Sequence, residues 1–131
     1  MKKLLLLLLF IGILSGFYIA QQYPDKNVPK TITTKFLHVT ERIERAPDKN
    51  KEIKSDRKEG DTALDLLKST TTVTMKGEQK NAFVTGIDGR IADETKKEYW
   101  SLYINGKPAT VGAGSYTLRS NDVIVWKIET Y

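Results

Sequence analysis

The hydrophobic residues of this chain form one dense block at the start and a series of short, spaced groups after it. Two lysines follow Met1, and residues 4–14 then carry no charge and include six consecutive leucines. A short basic region followed by an apolar one is typical of a secretory signal. The alternative is a buried core helix, but a leucine run directly behind paired lysines is rare in one. We therefore expect residues 1–20 to direct export, so that the protein works outside the cytoplasm.

The sequence leaves open whether residues 1–20 are removed after export. Cleavage after Ala20 would place Tyr18 where signal peptidase prefers a small residue. If residues 4–20 are retained, their 17 residues are at the short limit for a membrane-spanning helix, with the lysines on the cytoplasmic side. The segment is therefore either a signal peptide or a membrane anchor. The protein is accordingly either secreted or held at the membrane, facing outward.

The next part of the chain is polar and charged, with one strand-like stretch. Residues 21–30 contain two prolines and too little apolar surface to pack, which predicts a tether. Strand-favouring residues dominate from Thr31, and the adjacent pair Phe36-Leu37 breaks their alternation, which predicts a bulge or a strand end near Leu37. Eleven of the sixteen residues in 44–59 are charged, which predicts a long solvated hairpin loop.

One helical pattern then stands among several strand patterns. Leucines recur at helical spacing behind Asp61 and Thr62, either of which can cap the helix. Short β-rich groups follow, separated by Asp-Gly and Asn-Gly turns. The predicted strands are residues 73–75, 82–87, 99–104 and 123–128. We predict a single α+β domain in which one short helix covers one face of a sheet of four to five strands.

Side-chain alternation assigns the residues of the last two long strands to opposite faces of this sheet. The predicted inward set is Trp100, Leu102, Ile104, Ile124, Trp126 and Ile128. Tyr99 and Tyr103 then lie on the open face, beside a turn at Asn105 and a glycine-rich loop at residues 112–116. Outward tyrosines are favoured in strands for structural reasons alone, so the pair is either structural or a ligand surface.

Composition and charge limit the function classes. The 131 residues carry a net charge of +5, of which Lys2 and Lys3 in the export segment supply two. The remaining mild excess gives no argument for nucleic-acid binding. Cysteine is absent, so the fold has no disulfide and no lipid can be attached through a cysteine. About 111 residues after the export segment suffice for one self-supporting domain.

The inventory of reactive side chains argues against catalysis. His38 is the only histidine, so neither a zinc site nor a Ser/His or Cys/His couple can be assembled. Asp88, Asp93 and Glu94 do not match the spacing of a calcium loop. None of Gly86, Gly89, Gly106, Gly112 and Gly114 opens a helix, so no phosphate cradle is expected. We predict that the protein is not an enzyme and uses neither a metal nor a cofactor.

The helix and the C-terminal strands carry a recognisable series of motifs, namely GDTALDLLK, FVTGIDG, YWSLYINGK, GAGSYTL and NDVIVWKIE. In this order and spacing they resemble the transcobalamin-like C-terminal domain family. These are small β-grasp-type domains of bacterial surface proteins, which also form the second domain of animal cobalamin carriers. The resemblance spans residues 31–131 and implies a β-grasp-like fold. Asn121 stands where the family commonly has glycine, and asparagine tolerates the left-handed backbone required there.

The resemblance also implies a function, although in the animal carriers a separate helical domain, not included in this sequence, holds most of the cobalamin. We expect a non-catalytic, extracytoplasmic module that binds a small soluble ligand such as cobalamin, or that assists an uptake system. Tyrosines would pack against a flat ligand, and an amide and an ammonium group would supply polar contacts. The predicted ligand-binding residues are Tyr99, Tyr103, Asn105, Lys107 and Tyr116. The alternative is a cell-surface structural or adhesion module that binds another envelope protein through a sheet edge or the tyrosine face.

Overall fold

The computed structural model describes residues 33–46 and 49–131. The first elements of this part of the chain are two paired strands. The predictions for the export segment (1–20), the tether (21–30) and the two residues after it therefore lie outside the described residues. Strand β1 (Phe36–Glu44) runs antiparallel to β2 (Lys51–Lys58). The remaining elements are α1 (Ala63–Thr70), β3 (Val73–Lys76), β4 (Phe83–Ile87), β5 (Arg90–Ile91), β6 (Glu98–Ile104), β7 (Lys107–Pro108) and β8 (Val123–Thr130). Short 3-10 helices lie at Gln79–Asn81 and Glu94–Lys96.

The strands form two sheets. The larger has the order β2-β1-β8-β6-β7, in which β1 and β8 are parallel and the other neighbours are antiparallel. The smaller is antiparallel with the order β3-β4-β5. Together with α1, these sheets give the described residues an α+β arrangement. The second sheet was not predicted, because period-two patterning identifies short strands but does not say which strands pair.

The charged stretch at residues 44–59 is a strand for half its length, so the prediction of a solvated loop was wrong. Strand β2 is an edge strand whose side chains alternate between half-buried and exposed. Its backbone pairs with β1 along eight residues, and cross-strand charges match, as in Arg42 Nε to Glu52 Oε2 at 2.6 Å. Backbone pairing with a buried neighbour thus orders a stretch that has too few apolar residues to order itself.

Strand β1 supplies much of the core. It starts at Phe36, which confirms the predicted strand end near Leu37, and its pairing with β2 is unbroken, so no bulge is present there. Leu37, Val39 and Ile43 are buried, whereas Phe36 is exposed. Alternation therefore holds through the whole strand once Phe36 is placed on the outer face.

The helix begins at a capping box. The Thr62 hydroxyl accepts from the Asp65 N–H at 3.2 Å, and the Asp65 carboxylate accepts from the Thr62 N–H at 2.8 Å. Of the two predicted caps, Thr62 is therefore the one used. The apolar side chains of α1 are all buried in the core that contains both tryptophans, and they are Ala63, Leu64, Leu66 and Leu67.

The predicted inward set is confirmed. Trp100, Ile124 and Trp126 are buried, and the other three members are partly buried and pack against the same core. Asn121 has φ +68°, so it adopts the left-handed backbone that the sequence predicted. Among residues 33–46 and 49–131, no helix is both long enough and apolar enough to span a membrane.

Candidate functional site

A groove of about 260 Å³ runs along one edge of β6. Strand β7 pairs only with Tyr103 and Ile104, so residues 98–102 of β6 have a strand partner on the β8 side alone within the described sheet. Strand β4 and the segment that follows β7 form the opposite wall. The lining residues are Ala82, Phe83, Val84, Tyr99, Trp100, Ser101, Leu102, Tyr103, Pro108, Ala109, Val111, Gly112, Ala113, Trp126 and Glu129. Most of these side chains are apolar or aromatic, as in sites for small organic ligands.

The walls of the groove are partly exposed in this structure. Phe83 is 53% exposed and Val111 is 46% exposed, so both present apolar surface to solvent at the groove. Trp100 is buried, and its indole N–H donates to the Arg90 carbonyl oxygen at 3.0 Å. The polar atom of Trp100 is therefore satisfied within the protein, and its ring presents only apolar surface.

One end of the groove carries a polar cluster on the outer face of the sheet, formed by Tyr99, Tyr103, Lys127 and Glu129 and called here the tyrosine cluster. The Tyr99 hydroxyl donates to Glu129 Oε2 at 3.2 Å, and the Tyr103 hydroxyl donates to Glu129 Oε1 at 2.9 Å. Lys127 Nζ lies 3.0 Å from Glu129 Oε1 and 4.0 Å from the centroid of the Tyr103 ring. These contacts fix both phenol rings relative to the strand.

Electrostatics keep Glu129 ionised. Partial burial acts to raise the pKa of its carboxyl, but hydrogen bonds from Lys127 and Tyr103 and the charge of Lys127 outweigh this effect and lower the pKa to about 2. Burial and the Glu129 carboxylate together raise the pKa of Tyr99. At neutral pH the Glu129 carboxylate therefore carries its charge beside the Lys127 ammonium group.

The structure brings two of the five predicted site residues, Tyr99 and Tyr103, into the lining of the groove. Asn105 instead donates to Asp122 Oδ1 at 2.9 Å and accepts from the Val123 N–H at 2.8 Å. The Tyr116 hydroxyl donates to the other oxygen of Asp122, also at 2.9 Å. Asn105 and Tyr116 thus hold the buried Asp122 at the start of β8.

Lys107 also lies outside the lining of the groove. It is an exposed residue of the two-residue strand β7, paired with Ile104. Its neighbours Pro108 and Ala109 do line the groove, and the Ala109 N–H donates to the Leu102 carbonyl oxygen at 2.8 Å. Lys107 therefore directly precedes two lining residues in the sequence, but it does not line the groove itself.

The glycine-rich loop contributes close packing. A Cβ atom at Gly114 would lie 2.1 Å from the Gln79 carbonyl oxygen, so the loop contacts the 3-10 helix at Gln79–Asn81 backbone to backbone. Gly112 and Ala113 of the same loop line the groove. The glycines thus position this wall and leave no room for a side chain at residue 114.

Sequence reasoning missed Glu129, Phe83 and Val111 as groove residues. Glu129 lies directly across from Tyr99 in the β6–β8 pairing, but the register of two strands separated by about twenty residues cannot be read from alternation alone. The one signal available in the sequence was that alternation places the acidic side chain of Glu129 on the outward side of the last strand. Phe83 was visible as a strand residue, without any sign that it would be half exposed.

His38 lies on the outer face of β1, away from the groove lining. Its Nδ1 is 2.5 Å from Asp56 Oδ1 on β2, and both side chains are largely exposed. In the part of the chain that the structure describes, no three His, Asp or Glu side chains are grouped closely enough to hold a metal ion.

Two solved structures share the fold of this chain. A Ruminococcus gnavus protein provisionally described as metal binding matches with a TM-score of 0.65 and 17% identity, covering 72% of this chain and 98% of its own. Haptocorrin in complex with cobinamide (Cbi) matches with a TM-score of 0.61 and 21% identity, covering 72% of this chain and 25% of its own. The similar region is therefore about a quarter of haptocorrin. At these identities the matches establish a transcobalamin-like fold and nothing about the ligand.

Sequence comparison gives a family. No curated protein matches the chain significantly. A family model described as a domain of unknown function, DUF4430, matches residues 60–130, which include α1, both walls of the groove and the tyrosine cluster. The chain therefore belongs to the DUF4430 family.

Proposed function

We propose that this domain is a non-catalytic module of the transcobalamin-like, β-grasp type that binds a flat, largely apolar ligand in the groove along β6. The observation that carries this proposal is the combination in one groove of apolar walls and two tyrosines whose hydroxyls are held by Glu129. Aromatic side chains fixed in this way can pack against a planar ligand without losing further conformational freedom.

A corrinoid is the first ligand to test. Haptocorrin, which shares the fold, was solved in complex with cobinamide, and the motifs of this chain resemble those of transcobalamin-like domains. A corrin ring is large and mostly apolar on its faces, which suits a groove with half-exposed Phe83 and Val111 on one wall. The groove is open along its length, so a ligand larger than its volume can rest partly outside it.

We further propose that the module acts outside the cytoplasm. The support is the basic and apolar start of the sequence, which also provides the membrane attachment if residues 1–20 are retained. Sedimentation of the full-length protein with the membrane fraction of its host is the expected result for a retained segment. Full-length protein in the culture medium would exclude retention.

Calorimetry on the full-length protein in mild detergent tests the ligand. We expect cobinamide to bind with a measurable heat, and Phe83→Ser to weaken binding by about tenfold, which corresponds to losing part of the burial of one aromatic ring. Phe36→Ser is the matched control, because Phe36 is 56% exposed, close to the 53% of Phe83, but lies on β1 outside the groove lining.

Two results would contradict the proposal. Absence of heat with cobinamide and cobalamin at high micromolar concentration would exclude a corrinoid. Equal weakening by Phe83→Ser and Phe36→Ser would show that the effect comes from surface hydrophobicity and not from the groove.

A cell-surface interaction module is the second candidate, and one observation favours it. Among the described strands, residues 98–102 of β6 have a partner on the β8 side only, and Phe83 is exposed nearby. An extended segment of another envelope protein could pair with such an edge. Cross-linking in the native envelope would then give a defined protein partner that is lost in Phe83→Ser and kept in Phe36→Ser, without any binding of a small molecule.

A further inference from the structure

The hydroxyl protons of Tyr99 and Tyr103 are both committed to one carboxylate. A phenol has one proton to donate and lone pairs with which to accept. Each hydroxyl donates to a different oxygen of Glu129, at 3.2 Å for Tyr99 and 2.9 Å for Tyr103. A ligand in the groove therefore meets two phenol oxygens that have no proton left to give.

The direction of these hydrogen bonds is fixed by the charge of Glu129. An ionised carboxylate accepts and cannot donate, and Lys127 at 3.0 Å stabilises the ionised form. Glu129 therefore has no proton to donate to either tyrosine hydroxyl. Both hydrogen bonds consequently run from tyrosine to Glu129 over the whole physiological pH range.

The charges around the groove also disfavour an anionic ligand group. Of the fifteen residues that line it in the described part of the chain, Glu129 is the one with a charged side chain. Lys127 does not line the groove, and its ammonium group is engaged by Glu129 and lies over the Tyr103 ring. An anionic group placed beside the two phenols would thus face their acceptor oxygens and the Glu129 carboxylate, and none of the described lining residues is a cation.

From this geometry we infer that Glu129 is a positioning residue that makes Tyr99 and Tyr103 hydrogen-bond acceptors toward the groove, so that the site selects ligands presenting N–H or O–H donors. Amide-bearing ligands fit this requirement, and ligands with carboxylates at the same place do not. The inference rests on the proposed ligand-binding function and specifies the chemistry of the ligand's edge. Sites that match a buried donor or acceptor discriminate strongly, because a mismatched group leaves polar atoms unpaired.

The first test compares two corrinoids of similar shape. Cobinamide carries side-chain amides, and cobyrinic acid carries carboxylic acids in their place. For the wild-type full-length protein in detergent we expect cobinamide to bind at least about tenfold more tightly, as one mismatched hydrogen bond to a charged group would give. Equal affinity for the two compounds would overturn the inference.

The second test uses variants. Glu129→Gln should reduce the preference for cobinamide to less than about threefold, because an NH2 donor replaces one of the two accepting oxygens, one tyrosine proton is released, and the repelling charge is removed. Tyr103→Phe keeps the charge but removes an acceptor oxygen, so it should weaken cobinamide binding while binding of the acid changes little. If Tyr103→Phe has no effect on cobinamide, only the charge matters and the inference is wrong. Glu94→Gln is the control, since this exposed carboxylate is paired with Lys76 and lies outside the groove lining.

A ligand-free measurement checks the tyrosine contacts directly. In NMR titrations of protein labelled at the tyrosine ring, Glu129→Gln should lower the pH at which Tyr99 deprotonates, and Glu94→Gln should not. An unchanged Tyr99 titration in Glu129→Gln would overturn the inference whatever the ligand. If cobinamide binds without preference, the inference fails and the proposed function stands. If neither corrinoid binds, the proposed function fails and the inference about its ligand falls with it.

Discussion

Glu41 is a carboxylate inside the core, on the inner face of β1, which lies between β2 and β8. It is 0% exposed, and the Thr70 hydroxyl donates to its Oε2. Its Oε1 and the indole N–H of Trp126 are both buried without a hydrogen-bond partner among the described residues. The Trp126 N–H favours the charged form of Glu41 electrostatically but does not reach hydrogen-bonding geometry. Burial is the largest effect, and it raises the pKa of Glu41.

Replacing this carboxylate by its neutral isostere should stabilise the protein. We expect Glu41→Gln to increase the free energy of unfolding at pH 7 by about 1 kcal/mol, because an amide is buried at lower cost than a charge and can both donate and accept. Urea unfolding monitored by tryptophan fluorescence measures this change. The gain should shrink as the pH falls towards the ordinary range of a glutamate, since wild-type Glu41 is then protonated. A destabilised variant at pH 7 would show that Glu41 is stabilised as an anion.

At the scale of elements, the glycine-rich loop packs against the 3-10 helix at Gln79–Asn81, and of the described glycines Gly114 leaves the least room for a Cβ atom. Both segments support the wall of the groove opposite β6. A Cβ at Gly114 would lie 2.1 Å from a backbone carbonyl oxygen, whereas a Cβ at Gly112 would lie 3.3 Å from its nearest neighbour, also a carbonyl oxygen. A backbone atom cannot move aside as the end of a side chain can.

The two glycines therefore form a matched pair of substitutions. Gly114→Ala should lower the free energy of unfolding by about 2 kcal/mol or displace the loop, because overpacking of a rigid contact typically costs that much. Gly112→Ala should cost less than about 1 kcal/mol, since a shift of a few tenths of an ångström relieves it. Thermal unfolding of both variants gives the comparison. Similar small losses in the two would mean that the loop is not held by this contact.

Strand β2 shows at the element scale why part of the fold was predictable and part was not. Alternation within one strand depends on nearest neighbours in the sequence, so the inner positions of Trp100 and Trp126 followed from the pattern. The order of β2 depends on its pairing with β1, and no property of residues 51–58 alone indicates that pairing. The candidate site was predictable in part for the same reason. Alternation placed Tyr99 and Tyr103 on the outer face of β6, whereas Glu129 joins them only through the β6–β8 register.

For the molecule as a whole, the carboxylates determine the response to acid. The pKa values of Glu52, Asp65, Asp93, Glu94, Glu98 and Glu129 are all lowered by hydrogen bonds or nearby cations. A lowered pKa means that the folded state binds protons less readily than the unfolded state, so each group stabilises the fold above its ordinary pKa and loses that contribution as the pH falls. The raised pKa of Glu41 has the opposite effect, because the ionised form of this group destabilises the fold.

We expect the net effect to be acid destabilisation. The melting temperature should fall as the pH is lowered below about 4.5, the ordinary value for glutamate, and Glu129 should contribute down to its folded-state pKa of about 2. Glu129→Gln should therefore flatten this profile between pH 4.5 and about 2. Glu41→Gln should instead change the profile above pH 4.5, where the folded wild-type protein takes up a proton at Glu41 before the unfolded chain does. Calorimetric scans over this pH range provide the measurement. A melting temperature that does not fall below pH 4.5 would mean that the six groups with lowered pKa do not stabilise the fold as carboxylates.

The parallel pairing of β1 with β8 joins the first and last strands of the described fold. Residues 40–44 meet residues 123–127, so the centre of the larger sheet is closed by segments about eighty positions apart. A growing polypeptide that lacks β8 leaves β1 without one neighbour and β6 without its main partner, and the core around Trp126 cannot form. The larger sheet therefore cannot close until β8 has been synthesised. Of the described strands, the last to be synthesised is thus the one at the centre of the larger sheet, which makes closure of that sheet a late step of folding.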